Sequence, residues 1–173
     1  MAGSDVRAGR SQTGTPPPLE EDGSFLLRLA QPVGAVVAVL RDTLAAEGFC
    51  VAAEVDLQVV VRVRAHRCLE PYVVLEVLDG RRAADLLEVD RGAGRLLPWH
   101  VVVRADRADR AGHGTVVQAP DPVRLARHVD RRAPDPRMLA LAAQTRERLA
   151  RALRATEGRL EPAEVRRTEV TRS

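Results

Sequence analysis

Residues 99–104 alternate in a way that dictates how the chain can pack. Trp99, Val101 and Val103 fall on one face of an extended segment, and His100, Val102 and Arg104 on the other. Residues 72–78 repeat the pattern, with Val73, Leu75 and Val77 opposite Tyr72, Val74, Glu76 and Leu78. Strands of this kind belong to an antiparallel sheet that has one face on a core and the other toward water. The only tryptophan opens the first of these segments, directly after Leu96-Leu97-Pro98. Its place on the apolar side marks it as a core anchor.

The remaining elements follow from capping and periodicity. Phe25–Leu29 reads as a short strand. Pro32 opens a helix with Val33, Val36, Val37, Leu40 and Leu44 at helical spacing, and Gly48 closes it. Residues 49–55 form the next strand, and 81–90 a helix burying Ala83, Ala84, Leu86 and Leu87. Residues 57–64 are ambiguous, because four valines favour a strand by propensity. Residues 100–104 and 115–119 pair antiparallel across the loop 105–114. Asp121-Pro122 and Asp135-Pro136 each supply a cap and a first-turn proline. The second starts a long amphipathic helix with Met138, Leu141, Ala142, Thr145, Leu149, Ala152 and Leu153 on one face, ended by Gly158. The expectation is one domain over 25–157, with a disordered leader over 1–24 and a flexible polar tail over 158–173.

Composition excludes more than it selects. All 27 basic residues are arginine, so no lysine is present for a Schiff base or a phosphate loop. The absence of Lys, Ile and Asn together points to a GC-rich genome. Two phenylalanines, one tyrosine and one tryptophan leave little to stack nucleobases on. The formal charge of +3 comes from interleaved acids and arginines, not from one basic face. Residues 1–22 lack an apolar signal segment and no run is long enough to cross a membrane. A soluble, cytoplasmic chain with no membrane partner is expected. Cys50 and Cys68 are expected as reduced, buried structural thiols.

Several short motifs fall in a shared order: Val55-Asp56-Leu57-Gln58, Pro71-Tyr72, Leu96-Leu97-Pro98, Val101-Val102-Val103, Asp121-Pro122 and a closing Ala/Leu/Arg helix. In this the chain resembles the family catalogued as domain of unknown function 302, over nearly all of 25–157. The resemblance implies a helix at 57–64 and an α+β fold of the TATA-binding-protein-like kind. That fold is a single curved, mainly antiparallel sheet packed on one side by helices, often as a homodimer. It implies no activity. Relatives commonly carry Ala-Cys-Asn-Pro where this chain has Val77-Leu78-Asp79-Gly80, and Leu-Pro-Cys-Asn where it has Leu97-Pro98-Trp99-His100. Leu78 and Trp99 therefore stand in for both family cysteines, and a thiol mechanism at those positions is ruled out.

Strand parity places Glu54, Glu76, His100 and Arg104, with Gln118, on the polar sheet face. A carboxylate near a histidine can transfer a proton or hold a small ligand. Glu76 and His100 are thus the catalytic candidates, and Glu54, Glu76, His100 and Arg104 the ligand-binding ones. The plainer reading is a wet sheet face, or one covered by a second copy of the chain. His66-x-Cys68 lacks a partner pair with zinc spacing, His113 sits between two glycines at a loop tip, and His128 faces solvent, so no metal or other cofactor is expected. Arg124, Arg127, Arg131, Arg132, Arg137, Arg146, Arg148, Arg151 and Arg154 give the C-terminal helices a local basic excess. Pairing with nearby acids is their expected role, and nucleic acid is not the expected partner. The expected function is a non-enzymatic binding or structural module, dimeric and open to a small-molecule ligand. The alternatives are a small enzyme using Glu76 and His100 as an acid–base pair, and a nucleic-acid contact through the C-terminal arginines.

Overall fold

The computed structural model describes residues 23–129 and 135–161. Five strands and five α-helices follow in the order β1 (Phe25–Leu29), α1 (Val33–Ala46), β2 (Cys50–Asp56), α2 (Leu57–Ala65), β3 (Tyr72–Leu78) and α3 (Gly80–Val89). A 3-10 turn (Arg91–Leu96), β4 (Trp99–Ala105), β5 (Thr115–Ala119), α4 (Pro122–Val129) and α5 (Pro136–Leu160) complete it. The strands form one antiparallel sheet in the order β1-β5-β4-β3-β2. The fold is α+β, with helices on one side of the sheet and a long closing helix. Expected leader residues 1–22 and tail residues 162–173 lie outside the described residues, as do Arg131 and Arg132.

The core lies between the sheet and the helices. Leu27, Val117, Val103 and Val73 form one cross-strand row on the inner face, and Trp99 pairs with Val77 in another. Trp99 is 3% exposed, and Leu75, Val77, Val101 and Val103 are fully buried. Helix α1 packs on β2 and β4, and α5 crosses the layer against α1, α3, α4 and β1. Where α1 meets α5, the hydroxyls of Thr43 and Thr156 share a buried 2.7 Å hydrogen bond. One hydroxyl donates this bond and the other accepts it while donating to the carbonyl of its own helix, Leu40 for Thr43 or Ala152 for Thr156, so both protons are used.

Residues 57–65, ambiguous by propensity, are helical as the family resemblance implies, and three other details differ from the sequence-based expectation. The Asp56 carboxylate accepts from the Val59 N–H (3.1 Å), and His66 ends the helix at φ 53°. Caps at both ends outweigh a weak propensity. In α3, Ala84 is exposed and Leu87 only half-buried; the inward side chains are Ala83 and Leu86. Gly158 lies inside α5, which continues to Leu160 because Leu160 still packs on the core. Cys50 and Cys68 are free and exposed. Cys50 starts an edge strand on the outer face, and Cys68 belongs to the exposed return from α2 to β3.

Candidate functional site

The outer sheet face is ordered in three cross-strand rows. Leu26, Gln118, Val102, Val74 and Val55 cross all five strands as a half-buried, mostly apolar row. On one side of it run Arg28, Val116, Arg104 and Tyr72. His100, Glu76 and Ala53 run on the other. Alternation along each strand is what puts them there, since residues two apart share a face.

Glu76 and His100 are directly opposite each other on β3 and β4, and His100 Nε2 lies 3.7 Å from Glu76 Oε1. The imidazole is 59% exposed and the carboxylate 33%. Such a cross-strand pair in water contributes on the order of 0–1 kcal/mol. Arg104 shares the face but sits four residues along the strand from His100, about 13 Å away at 3.3 Å per residue. Its guanidinium donates to Gln118 Oε1 at 3.4 Å from both Nε and Nη2. The expected constellation thus splits into two separate pairs, Glu76 with His100 and Arg104 with Gln118.

Glu54 is on the opposite face. A β-bulge between Val51 and Ala53 leaves Val51 paired with Val77 but Ala53 with Glu76, which turns every later residue of β2 over. Glu54 therefore pairs with Leu75 on the inner side and makes an ion pair with Arg41 of α1 at the rim of the helix layer. It cannot join a ligand site with Glu76.

The most tightly held polar cluster is elsewhere, at the start of α3. Asp79 is 7% exposed and caps α3 by accepting from the N–H groups of Arg81 (3.1 Å) and Arg82 (3.4 Å). Its other carboxylate oxygen pairs with Arg148 of α5, and with Arg82 Nε at 3.4 Å. Arg148 also lies over the Phe49 ring, 5.8 Å from its centroid. Gly48 makes room for it, because a Cβ there would come within 2.3 Å of the guanidinium. Asp before a helical run is a readable cap signal, but nothing local in the sequence points to Arg148.

Three cavities lie away from Glu76 and His100. One of about 630 Å³ surrounds Asp79, Arg81, Arg82 and Arg148, and another of about 480 Å³ lies between α3 and α5. The third, about 440 Å³, is framed by Arg28, Asp106, Asp109 and His113 on the 105–114 loop. There Asp109 accepts from the N–H groups of Ala111, His113 and Gly114 at 2.9, 2.9 and 2.6 Å. These hydrogen bonds, the one from Ala111 foremost, hold its carboxyl below the ordinary 3.8. Among the described residues no group of three or more His, Cys, Asp or Glu side chains is placed to hold a metal ion.

The sign for Asp109 is that of a depressed carboxylate. The stabilisation is fully present above pH 3.8 and is lost as pH falls through the lowered value in the folded chain. Amide exchange of His113 and Gly114, followed by NMR from pH 5 downward, is expected to stay slow through the usual carboxylate range. It should accelerate only at lower pH. Acceleration centred at an ordinary carboxylate pKa would contradict the hydrogen-bond assignment.

Basic side chains of the C-terminal helices are mostly engaged. Arg137 pairs with Asp135, Arg146 with Asp121, Arg148 with Asp79, Arg151 with Glu47 and Arg159 with Asp42. The charge of these five arginines is answered within the described residues.

Fold and face together define an α+β domain with a five-stranded antiparallel sheet, covered by helices on one side and open on the other. The model of the family described as Domain of unknown function DUF302 matches residues 26–156, and the chain belongs to that family. It is similar to the crystal structure of the uncharacterized conserved protein DUF302 from Bacillus stearothermophilus, with a TM-score of 0.68 and 23% identity. That match covers 77% of this chain and 97% of the other, and it concerns the fold. No curated protein matches the chain.

Proposed function

We propose that this chain is a non-enzymatic pairing module whose open sheet face takes up a second copy of itself. The observation that carries the reading is the order of the three rows. A mostly apolar row spans the whole sheet, with Arg104 along one side, beside an Arg28 that is paired with Asp106 at 2.7 Å, and Glu76 and His100 along the other. A two-fold axis parallel to that row lays apolar on apolar and turns the basic side of one copy onto the Glu76 side of the next. An axis along the strands would instead set arginine against arginine. Complementary charge then fixes the register, and aliphatic burial supplies most of the affinity.

Solvent around Glu76 and His100 favours this reading over the enzyme. A proton-transfer pair at work is usually desolvated in a cleft, and this one is open. Charge exchange tests it. Glu76→Arg and Arg104→Glu should each weaken pairing at least tenfold by sedimentation equilibrium, and the double variant should recover most of it. Pairing unaffected by all three variants would remove the face from the interface. Substrate turnover lost in His100→Ala would support the enzyme reading instead.

A further inference from the structure

Among the described residues, helix α2 is the one helix with no buried residue. At about 100° per residue, Val59, Val63 and Val60 lie within an arc of about 100° on its outer side. They are 41%, 59% and 44% exposed, the exposed large hydrophobics among the described residues. Arg62 lies about 60° to one side of Val59 and Arg64 about 40° beyond Val60 on the other. Leu57, Gln58 and Val61 turn inward and are half-buried, and Gln58 Nε2 donates to the Leu69 carbonyl (2.9 Å), tying the helix to its return. The result is a convex valine ridge with an arginine on each flank.

Its charge is unanswered. Residues 57–69 contain Arg62, Arg64, Arg67 and His66 and no Asp or Glu. Among the described residues none of these arginines has a carboxylate partner, whereas those of α5 are largely paired. Pairing α2 with α2 of a second copy would set these arginines against one another. Nucleic acid would meet the arginines but leave three valines in water, with no aromatic ring on α2 to stack on. A surface that is anionic outside and apolar just beneath meets both halves of the ridge.

We infer that α2 is a docking ridge for an anionic lipid surface. The valines enter the headgroup boundary, and Arg62, Arg64 and Arg67 reach phosphates on either side of them. No helix among the described residues is long and apolar enough to cross a membrane, and the contact is one of surface attachment. It does not depend on pairing through the sheet face.

The test is sedimentation of the full chain with vesicles of phosphatidylglycerol and phosphatidylcholine against vesicles of phosphatidylcholine alone, at low and physiological salt. Binding is expected to the anionic vesicles and to fall steeply with salt. The V59S/V60S/V63S variant should bind at least tenfold more weakly. R62Q/R64Q/R67Q should lose binding, and R62K/R64K/R67K should keep it; far-UV circular dichroism checks that each is folded. Equal binding to both vesicle types, no binding at low salt, or undiminished binding by the serine variant would overturn the proposal. So would loss of the dimer in the serine variant, which would assign the valines to pairing. Duplex DNA bound more tightly than vesicles and insensitive to the serine changes would overturn it in favour of a phosphate-backbone contact.

Discussion

Trp99→Ala is expected to destabilise the domain by about 4 kcal/mol, a large share of the roughly 5–15 kcal/mol that holds a domain folded. The indole is 3% exposed in the central core, beside Val77 on β3 and under the helix layer. Truncation removes its transfer free energy and leaves a cavity that β4, held between β3 and β5 beneath the helix layer, cannot close. Trp99→Cys, which restores little of the lost volume, should fall only slightly short of that loss. Urea titration followed by circular dichroism measures both. A loss below about 1.5 kcal/mol for Trp99→Ala would show that the core collapses around the gap.

Asp79→Ala should cost about 3 kcal/mol. It removes the α3 cap, worth about 1 kcal/mol. It also strands Arg148 and Arg82, whose side chains are 24% and 25% exposed, without their shared carboxylate. Loss of one partner of a buried pair costs about 3–5 kcal/mol, and the partial access of both guanidinium groups to water lowers that figure here. Asp79→Asn keeps an acceptor for the Arg81 and Arg82 N–H groups and should lose about half as much. Equal losses in the two variants would assign the whole effect to charge. Equal stability of Asp79→Asn and wild type would assign it to the cap.

Much of this architecture can be read from residue order. Alternation along 72–78 and 99–104 gives β3 and β4 and the face of every side chain on them, because the strand period of two leaves one choice once a face is buried. Asp-Pro at 121 and 135 marks two helix starts by the same local chemistry that the structure uses, with Asp121 accepting from Val123 N–H and Asp135 from Arg137 N–H. What escapes is non-local. In Val51-Ala52-Ala53-Glu54 nothing announces a bulge, since two adjacent alanines fit either face. One extra residue moved Glu54 from the open side to Arg41. The Asp79–Arg148 pair joins residues far apart in sequence, and no local pattern announces such a partner. The exposure of α2 is also a tertiary fact: the same valines read as a strand until caps at Asp56 and His66 make them a ridge.

Glu76 and His100 illustrate the limit of a constellation argument. Parity brought the right residues opposite each other, and the pair is real at 3.7 Å. Its surroundings decide what it can do, and an imidazole 59% open to water beside a row of aliphatics fits a recognition surface better than a catalytic cleft.

Sedimentation equilibrium of the wild-type chain and Val102→Glu, across micromolar concentrations at physiological salt, tests pairing through the open sheet face. Val102 lies at the middle of the apolar row, so a carboxylate there would be buried without a partner in the paired state. A wild-type mass of twice the 18.9 kDa chain is expected, with a monomeric, folded Val102→Glu. A wild type that stays monomeric, or a Val102→Glu variant that pairs as well as wild type, would contradict it.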